Sequence, residues 1–144
     1  MKVNFYDKIE DIKLRFAIII SKYNGKYVLC KHKERDTFEI PGGHRELEES
    51  ILQTAKRELY EETGATVYDI EEVCVYSVLG KDGRVEEYKE SFGMLYFAEI
   101  YEFDKKLDSE IERIELFDNF PKDNLTYPLI NIALIEKFEK NIKK

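Results

Sequence analysis

Three glutamates, Glu58, Glu61 and Glu62, stand at i, i+3 and i+4 in the stretch RELYEETG. If that stretch is helical, their carboxylates share one face, because residues three and four apart are neighbours on a helix. They also fall near its C-terminal end, where the macrodipole is already negative and further negative charge is unfavourable. A local rule broken three times in one turn marks a bound cation or a function. Clustered carboxylates suit hard divalent ions, Mg²⁺ above all, and such ions with open water positions serve chemistry on phosphates. Alone, the three glutamates are more simply a solvated face, so the residues around them must decide.

The helix that carries them is well marked. Ser50 followed by Gln53 is a capping-box pattern that starts the helix at Ile51. Gly64 ends it, since the left-handed position after a helix is most easily glycine. Ile51, Leu52, Ala55 and Leu59 recur at helical spacing and predict an apolar stripe, on a different face from the glutamates. Ahead of the helix, Pro41 and Gly42-Gly43 punctuate a turn.

From Gly43 the spacing runs five residues, Glu49, seven residues, Arg57-Glu58-Leu59, one residue, Glu61-Glu62, one residue, Gly64. That pattern over residues 43–65 resembles the signature of the Nudix hydrolases, and the resemblance is complete at those positions. Two neighbours depart from the family's habit: Ala65 stands where a larger aliphatic residue is usual, and Glu48 where glycine is frequent. The resemblance implies an α/β protein with the Nudix fold, an α/β/α sandwich whose mixed sheet lies between helices. It implies Mg²⁺-dependent hydrolysis of a nucleoside diphosphate linked to another group, with Mn²⁺ as a substitute ion. Glu58, Glu61 and Glu62 match the family's metal-binding carboxylates, with a loop carbonyl near Gly42 as a further ligand. Arg57 is read as structural, spanning to Glu49 by a bidentate ion pair that holds the loop. A further metal or base carboxylate is expected from DSEIERIELF; Glu110 fits best and Glu112 second. Lys31 is the candidate phosphate contact and Asn124 the candidate purine contact. Glu46 matches a frequently acidic position, and Phe16, Tyr76 and Tyr96 are aromatics that could stack on a base or fill the core. His32 and His44 adjoin the same region without an assigned role.

The remaining chain supplies a scaffold. FAIIIS and KYVLCK flank Asn24-Gly25, which reads as a hairpin. Ala65–Ile70, Val73–Leu79 and Phe92–Tyr101 are β-rich, with an exposed hairpin tip expected around Asp82-Gly83, and Ile114–Phe117 reads as one more strand. A closing helix is predicted from about Tyr127 to Lys140, with Tyr127, Ile130, Leu134 and Phe138 facing the core. Strands with two amphipathic helices predict a helix on each face of a sheet. At 144 residues a single domain, 1–144, is expected.

Composition narrows the partners. A net charge of −7 argues against a broad grip on nucleic acid, though a metal held between carboxylates and a polyphosphate reverses the local sign. No apolar run approaches the ~18 residues of a membrane helix, and the charged start MKVNFYDKIEDIK does not read as a signal peptide. Cys30 and Cys74 lack a metal spacing and are expected to be reduced and buried in a cytoplasmic protein. The substrate expected first is a nucleoside triphosphate, including oxidised purines such as 8-oxo-dGTP, cut to monophosphate and pyrophosphate. RNA 5′ ends, ADP-ribose or nucleotide sugars, and nucleotide sensing without cleavage are the alternatives. The stretch Leu79–Arg84 lacks the proline common in ADP-ribose enzymes. Oligomeric state is left open.

Overall fold

A computed structural model describes residues 2–80, 89–104 and 106–142. The expected hairpin tip at Asp82-Gly83 lies outside them. Eight strands, β1 (Lys2–Tyr6), β2 (Leu14–Tyr23), β3 (Lys26–His32), β4 (Phe38–Glu39), β5 (Gly42–His44), β6 (Ala65–Leu79), β7 (Glu90–Phe103) and β8 (Ile111–Phe117), form one mixed sheet. Two helices, α1 (Ile51–Thr63) and α2 (Pro128–Ile142), pack against its opposite faces.

β2 is the spine. It runs parallel to β7 on one side and antiparallel to β3 and β5 on the other. Its near-continuous apolar sequence follows from burial on both faces. Ala17 and Ile19 point to the α1 side with Ala55 and Leu59, whereas Ile18 and Ile20 point to the α2 side with Leu134, Ile135 and Phe138. Asn24 and Gly25 both take positive φ, 51° and 79°, as the two-residue hairpin between β2 and β3 requires.

After that turn the two strands diverge. β2 and β3 pair only through Lys22 with Tyr27 and Tyr23 with Lys26. The chain from Phe38 to His44 fills the wedge between them: β4 joins β3, and β5 joins β2. The sequence predicts a turn at Pro41-Gly42-Gly43, and the structure resolves the segment into two short strands instead. Pro41 separates them because it has no N–H to donate, yet its carbonyl still accepts from Ile19 N at 2.9 Å.

Other differences have equally local causes. Ala65–Ile70 and Val73–Leu79 are one strand, with irregular pairing between Glu72 and Cys74 where two strands were expected. β1 pairs antiparallel with β6, an element hidden by the charges of the N-terminal stretch. Leu52 is partly exposed, and Thr54 takes the buried place instead, donating to Glu49 Oε1 and Ser50 O. Tyr127 precedes α2 and lies exposed against Arg35 rather than in the core. Cys30 and Cys74 are both free, Cys30 fully buried and Cys74 half-buried. No described helix is long and apolar enough to cross a membrane.

Candidate functional site

The caps of α1 fix where its carboxylates stand. Ser50 Oγ accepts from Gln53 N, Gln53 Oε1 accepts from Ser50 N, and Gly64 closes the helix at φ 78°. Between the caps, Ile51, Ala55 and Leu59 bury one stripe against β2. Losing the Leu59 side chain alone would cost about 2–5 kcal/mol. With that face pinned, the last turns of α1 lie over the wedge and present Glu58 and Glu62 to it.

Arg57 gathers the acidic groups. Its Nε and Nη2 donate to the two oxygens of Glu49 at 2.6 and 3.1 Å, the bidentate pair expected from the sequence. Nη2 also donates to the His44 carbonyl at 2.9 Å. Nη1 reaches Glu58 at 2.6 Å and Glu61 at 3.2 Å, with Glu46 at 3.6 Å. One guanidinium thus ties the loop 44–49 to α1. The Arg57 hydrogen bonds hold the Glu49 carboxyl down to about 2, and Arg57 itself is raised in return, first by that same contact.

Two glutamates go deeper. Glu62 Oε1 accepts from Gly42 N at 2.7 Å, and Oε2 lies 3.3 Å from His32 Nε2. Glu58 presses against Gly43 so closely that a side chain there would overlap its carboxylate. The two glycines therefore let β5 approach β2 and α1 together. Burial pushes Glu62 up to about 8, opposed by the Gly42 N–H and reinforced by Glu58, Glu39 and Glu61. Burial likewise pushes Glu58 up to about 7, opposed by Arg57 and reinforced by Glu61. Carboxyls so placed hold protons near neutrality unless positive charge joins them. Glu58, Glu61 and Glu62 offer oxygen donors alone, the donor type a hard divalent cation takes, and Arg57 already meets part of the charge on Glu58 and Glu61.

The remaining predicted residues divide. Glu110 is exposed at the start of β8; its carbonyl accepts from Lys33 N at 2.9 Å, and its carboxylate meets no partner among the described residues. Lys31 is buried on the α2 side of β3, with Nζ donating to Glu112 Oε1 at 3.1 Å. Asn124 is exposed, takes φ 62°, and its carbonyl accepts from Phe38 N. Tyr76 and Tyr96 are core residues, and Phe16 lies against the His44 ring at 4.5 Å. The structure adds three residues to the neighbourhood of Glu62 that carry no role in the sequence reading: Cys30, His32 and Glu39. His32 Nε2 stands 3.5 Å from Glu39 Oε1, and Glu39 is itself paired with Arg35 at 2.5 Å. The available signal was the strand alternation of β3, which puts Cys30 and His32 on one face.

Comparison with known proteins bears on family and fold. The NUDIX domain family matches residues 12–129. A Bacillus subtilis (strain 168) protein named "Putative 8-oxo-dGTP diphosphatase YtkD" is 35% identical over 124 residues, covering 85% of this chain and 74% of its own. The crystal structure of a point mutant of the Bacillus subtilis pyrophosphohydrolase BsRppH superposes with a TM-score of 0.76 at 25% identity, over 96% of this chain and 90% of that one. A mutator MutT protein from Bacillus halodurans gives a TM-score of 0.57 at 26% identity, over 84% and 79% of the two chains.

Proposed function

This chain belongs to the Nudix hydrolase family, enzymes that act on pyrophosphate linkages, and from that premise we propose that it is a Mg²⁺-dependent nucleoside triphosphate pyrophosphohydrolase. Its first substrate class is an oxidised purine triphosphate of the 8-oxo-dGTP kind, released as monophosphate and pyrophosphate. The observation that carries the reading is the placement of Glu62 and Glu58 against the Gly42-Gly43 strand, with Arg57 tying Glu58 and Glu61 to the loop. The activity in the name of the 35%-identical relative supports the substrate class.

Glu58, Glu61 and Glu62 would hold the ion, with Gly42 and Glu110 as further ligands. When bound, Mg²⁺ supplies charge neutralisation on the phosphate oxygens and a more acidic water. The chain does the rest by positioning. The Gly42 N–H fixes one oxygen of Glu62 and leaves the other turned toward the wedge. Arg57, locked by Glu49, sets the orientation of Glu58 and Glu61. A carboxylate of this cluster takes the proton of the attacking water, and the low dielectric around Glu58 and Glu62 strengthens its pull. Asn124 would contact the purine from the pre-α2 side, whereas Lys31 would reach phosphate only by leaving its Glu112 pair on the α2 side of β3. The two free cysteines fit a reducing, cytoplasmic setting.

A second reading, removal of pyrophosphate from an RNA 5′ end, uses the same bond chemistry, and the neighbour that superposes at a TM-score of 0.76 is named a pyrophosphohydrolase. Incubation with Mg²⁺ and a panel of 8-oxo-dGTP, the normal triphosphates, a triphosphorylated RNA and ADP-ribose separates the two. Fastest pyrophosphate release from 8-oxo-dGTP supports the first reading, and fastest release from RNA replaces it by the second. Saturable binding without any turnover would refute both.

A further inference from the structure

Beneath Glu62 lies a second donor set of different chemistry. Cys30 Sγ, a ring nitrogen of His32 and a Glu62 oxygen all fall within 4.8 Å of one another. His32 Nε2 is buried, stands 3.3 Å from Glu62 Oε2 and 3.5 Å from Glu39 Oε1, and yet makes no hydrogen bond among the described residues. A buried ring nitrogen that makes no hydrogen bond while facing two carboxylates is costly, and a cation shared with them would satisfy it. Its separation from Glu62 Oε2 matches the roughly 3.3–3.4 Å between two ligands on a tetrahedral ion bound at about 2.0–2.1 Å.

We propose that Cys30, His32 and Glu62 form a site for a thiophilic divalent cation, Zn²⁺ or its probes Co²⁺ and Cd²⁺, whose occupation withdraws Glu62 from the Mg²⁺ set and inhibits hydrolysis. Sulfur and imidazole select such ions over Mg²⁺, which takes oxygen. Cys30 Sγ now donates to the Glu39 carbonyl at 3.6 Å; on binding, the S–H bond breaks, the proton leaves to solvent, and the freed pair bonds the metal. Glu39 Oε1, 3.5 Å from His32 Nε2, is an additional oxygen donor, and its other oxygen is held by Arg35. The two sites compete because Glu62 has one free oxygen, its other being engaged by Gly42 N. Binding rests on this geometry alone, whereas inhibition rests on the reading of Glu62 as a Mg²⁺ ligand.

The test has a spectroscopic arm and a kinetic arm. Metal-free full-length protein is titrated with Co²⁺ or Cd²⁺, following the thiolate-to-metal charge-transfer band; separately, Mg²⁺-supported turnover is titrated with Zn²⁺. Native protein should show the band with one equivalent of metal. Cys30→Ser should abolish it, keep Mg²⁺-supported turnover, and raise the Zn²⁺ concentration for half-inhibition tenfold or more. His32→Gln, which leaves the thiol in place, should weaken the Co²⁺ titration and provides a second variant if Cys30→Ser folds poorly. Absence of the band in native protein overturns the proposal, as does equal Zn²⁺ inhibition of native protein and Cys30→Ser. A chain that hydrolyses no nucleotide yet forms the band overturns the enzymatic reading and supports the site.

Discussion

Replacing Gly43 by alanine should remove activity and spare the fold. The added methyl carbon would sit 2.5 Å from Glu58 Cδ, whereas carbons pack at about 3.5–4.0 Å. The carboxylate must therefore retreat by about 1 Å or more. It can do so by rotating a flexible side chain, so the stability loss should stay near 1 kcal/mol. Catalysis has no such freedom, because a misplacement of about 1 Å costs on the order of a hundredfold. Gly42→Ala should strike the fold as well. Its methyl would meet Ala17 O at 2.5 Å and Ile18 Cα at 3.0 Å, both backbone atoms of β2. Nothing there can rotate aside, so strain of roughly 1–3 kcal/mol should appear as lost stability. Initial rates at saturating Mg²⁺, with thermal denaturation of the same preparations, read both effects. Gly43→Ala with turnover within about twofold of the native protein would refute the placement of Glu58 in the reacting cluster.

Glu62→Gln keeps an oxygen for the Gly42 N–H while removing the charge, so turnover should fall roughly a hundredfold or more with an unchanged circular dichroism spectrum; near-native turnover would remove Glu62 from the ion's ligands. Arg57→Lys cannot reproduce the fork on Glu49, and kcat should drop at least about tenfold with KM nearly unchanged, measured across a nucleotide titration. Glu49 gives a pH signature: its carboxyl is lowered from 4.5 to about 2, so the stabilisation is present above 4.5 and lost as pH falls toward 2. Over that window native protein should lose more stability to acid than Glu49→Gln, as followed by denaturant midpoints. Glu48 stands at φ 68°, a left-handed conformation that costs a side chain about 1–2 kcal/mol, so Glu48→Gly should raise stability by roughly 0.5–1 kcal/mol with an unchanged m-value.

What could be read from the residues, and what could not, follows the range of the interaction involved. The capping box at Ser50 and Gln53, the stop at Gly64 and the Asn24-Gly25 turn are set by contacts within four residues, and each is found where its local chemistry puts it. The Arg57–Glu49 pair spans eight residues but joins a helix to its own leading loop, so spacing again sufficed. The wedge did not announce itself, because β4 and β5 are too short to show alternation and exist only through pairing with β3 and β2. Glu48 shows the converse: a residue that looked like a departure from the usual glycine still adopts the glycine conformation, since the loop is held at both ends by Arg45 and Arg57.

Burial on one face of β3 explains why the most informative residue of the site stayed silent. A histidine two positions after a buried cysteine reads as one more strand residue until that face is known. Alternation alone places Val28, Cys30 and His32 together, and Val28 shares the cluster that buries Leu59 of α1. Once α1 is set on that face, the histidine must lie beneath the end of α1, where Glu62 is driven into the wedge by the burial of Leu59 one turn earlier. The sequence contains every residue of that arrangement; the missing datum is which side of the sheet the glutamate helix covers, and that is decided by Ala17 and Gly42, whose small size lets helix, β5 and β2 come together.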